Sequence, residues 1–151
     1  MKRKTTGSIL ALCFFGAAVC FGDDPQMGTW KLNEAKSKFA PGRPKNHTVV
    51  YEATGDNVKI TVDGNDKDGK ATHTGKFDGK DYAVTGDPTS DMRSYKKIGD
   101  RVMKITVKKD GKVTVTGRVV VSADGKSRIV TTGEAGAEGK SPKNRAVYNK
   151  Q

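Results

Sequence analysis

The residues of this chain whose types could do chemistry are few: two histidines, His47 and His73, four tyrosines, and the acidic run "DGNDKDG" at 63–69. A metal centre or a proton-transfer site needs further partners at close spacing. Neither histidine has a second histidine or a carboxylate placed along the chain as such sites require. The acidic run fails as a calcium loop. With Asp66 and Asp68 at its third and fifth positions, Gly64 stands first and Gly75 twelfth, where a bidentate carboxylate is needed. It reads as a solvated turn. There is no Gly-x-Ser-x-Gly elbow and no phosphate loop. Cys13 and Cys20 both lie near the start. The expectation is therefore no catalytic residues, no metal and no cofactor. The enzyme reading that survives sets an interior His73 and a tyrosine as acid and base.

The elements that must position these residues begin after a leader. Lys2, Arg3 and Lys4 precede the apolar run "ILALCFFGAAVCF" at 9–21, and Asp23 and Asp24 follow it. The run has about 13 residues, short of the roughly 20 that span a bilayer. Cys20 and Gly22 are small residues where a signal peptidase reads, so residues 1–22 are expected to be a signal peptide cleaved after Gly22. A periplasmic or secreted protein follows. A lipoprotein acylated at Cys20 is the lesser alternative, because Val19 stands where that signal wants a small residue. Residues 23–151 then contain no cysteine, and thus no disulfide or thiol nucleophile, and carry a net charge of +8. A chain of this size is one domain.

Composition argues strands. Residues 23–151 hold fourteen Val and thirteen Thr but a single Leu, Leu32. β-Branched residues fit a pleated, half-buried surface. "NVKITVD", "RVMKITVKKD" and "KVTVTGRVVV" alternate apolar and polar residues with period two. "DGK" recurs at 68–70, 78–80, 110–112 and 124–126, and Asp-Gly tolerates the positive φ of tight hairpins. Turns thus arrive roughly every ten residues, the rhythm of a sandwich or barrel. All five prolines fall between the apolar runs, where they cost no ladder hydrogen bond. Eight to ten strands are expected, near 27–33, 47–54, 57–63, 70–77, 81–85, 91–98, 101–108, 112–122, 126–133 and 143–149. "NEAKSK" at 33–38 suits one helical turn capped by Asn33, and 134–142 reads as a glycine-rich loop.

The segment "GTWKLN", with Gly28 and Trp30 on the first strand, resembles the Gly-x-Trp signature of lipocalins and of small, secreted, lipocalin-like bacterial proteins. The resemblance implies an all-β fold: an antiparallel up-and-down β-barrel, lipocalin-like, in which the tryptophan packs across the closed end and a basic residue of the last strand covers it. Trp30 and Arg145 are the residues matched to those roles. A guanidinium stacked on an indole is worth about 0.5–2 kcal/mol. The middle lipocalin signature, a Thr-Asp-Tyr loop, is missing: "GKDYAVTG" has Lys80 before Asp81 and Tyr82.

A barrel of about eight to ten strands is filled by its own side chains or holds one small ligand. Inward positions rich in Val and in small residues (Ala53, Ala71, Gly75, Gly117, Ala146) leave room, and tyrosine hydroxyls orient what enters. The expected function is non-covalent, non-enzymatic binding of a small apolar or amphipathic molecule by a monomer. The lining candidates are Tyr51, His73, Phe77, Tyr95, Met103 and Tyr148. The alternative is a filled barrel whose basic surface meets an acidic or anionic-lipid partner in the envelope. Nucleic acid is a poor partner, because the basic residues form no long cluster and no basic helix.

Overall fold

A computed structural model describes residues 23–64, 70–136 and 143–151. The expected signal peptide lies outside these residues, as do most of the acidic run (65–69) and most of the glycine-rich loop (137–142). Ten antiparallel strands form one closed barrel: β1 (Gly28–Leu32), β2 (Thr48–Thr54), β3 (Asn57–Asp63), β4 (Lys70–Gly75), β5 (Tyr82–Thr85), β6 (Met92–Gly99), β7 (Val102–Lys109), β8 (Lys112–Val121), β9 (Ser127–Glu134) and β10 (Asn144–Lys150). Each strand pairs with the next, and β1 closes the ring on β10 through Trp30↔Lys150 and Leu32↔Tyr148. Closure removes the unpaired edges that an open sheet exposes.

The turn chemistry explains the meander. β7 passes to β8 through Asp110 and Gly111, with φ of 50° and 75°. Two successive positive φ values give a turn whose twist matches the strands, and Asp-Gly tolerates them. Gly28 has φ of 105°, and a Cβ there would meet the Lys150 side chain at 3.1 Å. The glycine two residues before the tryptophan thus answers a backbone need. The 33–38 segment forms a short 3-10 turn over Glu34–Lys36, and the Asn33 side chain accepts from the Lys36 N–H.

An up-and-down ring places connections alternately at two ends. The β2–β3, β4–β5, β6–β7 and β8–β9 turns share one end with both described termini. That end is packed shut. Trp30, Val58, Met103, Val119 and Val121 are fully buried there. The stretch before β1 crosses beneath them: Trp30 Nε1 donates to the Gln26 carbonyl at 2.9 Å, and Gln26 Nε2 donates to the Arg101 carbonyl at 3.4 Å. Burying apolar side chains of this size stabilises by about 1.5–3 kcal/mol each. The opposite end carries the long β1–β2 connection and the β3–β4, β5–β6, β7–β8 and β9–β10 connections.

Candidate functional site

Period-two alternation turns Tyr51, Ile60, His73, Tyr95, Ile105, Val130 and Ala146 inward at mid-barrel. Below them the core is filled. Above them a cavity of about 290 Å³ opens toward the mouth; Val49, Val62, Ile105, Val107, Val115 and Val130 give it a valine-rich wall, and Asn46, Asp87, Arg93, Thr132 and Asn144 line it as well.

At the cavity floor sits a charge. Arg128, the second residue of β9, is 2% exposed. Its guanidinium lies over three aromatic rings: Trp30 at 4.6 Å, Tyr51 at 4.7 Å and Tyr148 at 5.1 Å. No carboxylate pairs with it among the described residues, and its Nε and Nη1 have no hydrogen-bond partner there. A buried cation is ordinarily paired, because leaving water costs several kcal/mol. Cation–π contacts offset part of that cost, at about 2 kcal/mol for a desolvated face. The tyrosines respond to the same dry setting. Burial pushes the Tyr51 and Tyr148 hydroxyls up to about 12, although the nearby Arg128 charge pulls both down. Tyr148 donates to the Asn46 carbonyl at 2.9 Å, which ties this wall to the mouth loop.

Higher up, the cations are compensated. Arg93 on β6 pairs with Asp87 at 2.6 Å. Burial raises the Asp87 carboxyl, but hydrogen bonds from the Ser90 and Thr89 hydroxyls, the Thr89 N–H and the Arg93 charge outweigh it and hold it at about 2. At the rim Arg43 pairs with Glu134. Among the described residues, the charge pattern going down the barrel is a neutral pair, a second neutral pair, a valine-rich wall and one unpaired cation.

The structure divides the six lining candidates. Tyr51, Tyr95 and Tyr148 line the cavity. His73, Phe77 and Met103 do not: Met103 is fully buried in the lower core, and His73 and Phe77 pack in the filled core against Tyr95, with ring centroids 5.2 Å and 6.3 Å from it. His73 is held neutral. Burial, then the Arg93 charge, lowers its pKa to about 4, and its Nδ1 has no partner among the described residues. His47 lies on the mouth loop with Nδ1 3.7 Å from Glu34. Among the described residues no three His, Cys, Asp or Glu side chains gather to hold a metal ion.

Two expectations are corrected. Arg145 does not cover Trp30. It is exposed on β10, where its Nη1 donates to the Lys36 carbonyl. The reason is parity: Asn144, Ala146 and Tyr148 face in, so Arg145 must face out. Arg128 takes the place over the indole, with Lys150 Nζ a further 5.3 Å contact. Ala53, expected inside, is exposed at the end of β2. Arg93 and Arg128 are not among the candidates that the sequence pattern singles out. For Arg93 a signal existed, since it stands two residues before Tyr95 on one strand. For Arg128 the alternation was ambiguous, because Ile129 and Val130 are both apolar.

No family model matches the chain, and no curated protein matches it in sequence. Among solved structures its fold is similar to that of a fatty acid binding protein from Schistosoma mansoni, determined in complex with arachidonic acid. The TM-score is 0.57 at 14% identity, over 85% of this chain and 97% of that one. The class is thereby a ten-stranded closed antiparallel barrel of the kind that binding protein has.

Proposed function

We propose that this barrel encloses a small amphipathic molecule with one negative charge, its head on Arg128 and its apolar body against the valine wall. The observation that carries the reading is Arg128 itself: a buried guanidinium with two unpartnered nitrogens at the floor of a cavity with a valine-rich wall. Because Arg93 and Arg43 already hold carboxylates, the interior calls for one compensating charge. A water-sized group occupies about 30 Å³, so about 290 Å³ suits a molecule of about ten heavy atoms, such as a medium-length acyl chain or a compact ring acid. The likeness to a protein solved with a fatty acid supports the same ligand chemistry.

The mechanism is enclosure. Apolar walls take the body out of water, charge-assisted hydrogen bonds from Arg128 hold the head, and the Tyr51 hydroxyl stands beside it. Nothing in this arrangement asks for bond making, and we read the protein as a non-enzymatic binder. With residues 1–22 read as a cleaved leader, it acts as an exported carrier.

Titration with sodium decanoate and with decan-1-ol tests the reading. Hydrogen bonds to a charged group are worth about 1.5–3 kcal/mol, so the acid should bind about 10- to 100-fold more tightly than the alcohol. Arg128→Met should abolish that preference. Equal binding of acid and alcohol by the unaltered protein would overturn it.

A further inference from the structure

The outer wall carries a second pattern, unrelated to what the cavity holds. In register across β6, β7 and β8 stand Lys96, Lys104 and Arg118, each directly opposite the next. All three point out and are exposed. None of them pairs with a carboxylate among the described residues. Asp78, bridged to the Lys96 backbone, spends its carboxylate on the Lys80 N–H and the Tyr82 hydroxyl. Glu134, at the far side of the groove beside this row, is taken by Arg43. Like charges directly opposite on a sheet destabilise it, so the fold carries this row at a cost.

One step along the same strands, about 7 Å toward the closed end, lies an apolar row. Val102, Val120 and Ile129 face one another across β7, β8 and β9. Ile98 of β6 extends it. Ile98 and Val120 are 51% and 39% exposed. A shallow groove joins the rows, with Ile98, Val120, Lys104, Arg118, Thr131 and Glu134 among its lining residues.

We infer that this face of β6–β9 docks on a bilayer surface that carries anionic phospholipid. Three uncompensated cations meet the phosphates, while Ile98 and Val120 enter the headgroup boundary. Charge complementarity selects an anionic partner, and the apolar row selects a bilayer, since a soluble acidic polymer has no use for exposed isoleucine and valine. Each basic residue near such a surface contributes about 1 kcal/mol, a factor of about five in binding.

Vesicle flotation tests the inference, using residues 23–151, which contain all ten described strands and the β1–β10 closure. The vesicles are phosphatidylcholine alone, or with roughly a third of the lipid as phosphatidylglycerol. The protein should float with the anionic vesicles only, and less so as salt rises. Lys104→Gln with Arg118→Gln should weaken binding about 25-fold. The double variant should melt no lower than the parent, because it removes a repulsion. Lys31→Gln with Lys59→Gln, exposed on β1 and β3, removes the same charge elsewhere and should change binding less than about twofold. Arg128→Met should bind vesicles like the parent, which separates this inference from the cavity reading. Equal losses in the two double variants would overturn it, as would no preference for anionic vesicles. Binding to polyglutamate as tight as to the vesicles would assign the face to a soluble polymer and overturn it too.

Discussion

Replacing Arg128 by methionine separates a charge kept for a ligand from a charge kept for the fold. The guanidinium contacts three rings at 4.6–5.1 Å and is 2% exposed. Losing those contacts should cost about 2–4 kcal/mol in all, since one cation cannot gain fully from three faces. Against this, the variant no longer keeps an unpaired charge out of water, a penalty of several kcal/mol. Methionine fills most of the aliphatic volume and adapts to irregular gaps. The two terms nearly cancel, so the ligand-free variant should unfold within about 2 kcal/mol of the parent, a shift in Tm of less than about 10 °C. Decanoate affinity should nonetheless fall about 10- to 100-fold. Urea unfolding and calorimetric titration on the same samples give both numbers. A loss of more than about 4 kcal/mol in stability with no selectivity for the acid in the parent would show that Arg128 is a structural plug, and the reasoning would be refuted.

Other expectations follow from the same geometry. His73 has its pKa lowered to about 4 from 6.5, so the unfolded chain takes up a proton that the folded one refuses. The stability it contributes is full above pH 6.5 and is lost as pH falls toward 4, by about 3 kcal/mol, and His73→Gln should flatten that part of a urea-midpoint profile. Asp87, held at about 2 from 3.8, gives a separate loss below pH 4 that Asp87→Asn should remove, provided the variant is compared by its slope with pH. Trp30→Ala, at a fully buried ring bonded to the Gln26 carbonyl, should cost about 3–5 kcal/mol by thermal unfolding; an unchanged Tm would contradict its place at the closed end. Gly75→Val should be poorly tolerated, because a Cβ there would lie 2.4 Å from the Tyr82 ring; normal folding of that variant would contradict the packing of β4 against Tyr82.

Much of the barrel was legible in the sequence because its signals are local. Alternation in "NVKITVD" places Val58, Ile60 and Val62 inside, and the Asp-Gly pairs mark the hairpins. The expected strand positions match the ten observed within a few residues. Asn33 was readable as a cap because its side chain bonds three residues ahead. The site was less legible because it depends on register. That Arg128 stands opposite Tyr148 follows from the β9–β10 pairing, and that Tyr51 reaches the same guanidinium follows from barrel closure. No local pattern encodes either. The choice of Arg145 failed on information that was present: Arg145 and Tyr148 are three residues apart on one strand, so they cannot both face inward. His73, Phe77 and Met103 were rightly placed on inward faces, but depth along the barrel decides between filled core and cavity wall. Depth depends on which end is shut, and that is set by the stretch before β1, where Gln26 is bonded both to Trp30 and to the Arg101 carbonyl.

Native mass spectrometry of the protein purified gently from its own host would show directly whether the barrel encloses an acidic amphipathic molecule. The expected result is a mass excess that disappears on denaturation, one dominant released molecule with a single acidic group and an apolar body, and loss of that excess in Arg128→Met. A bare mass in the parent, joined to no binding of decanoate in titration, would contradict it.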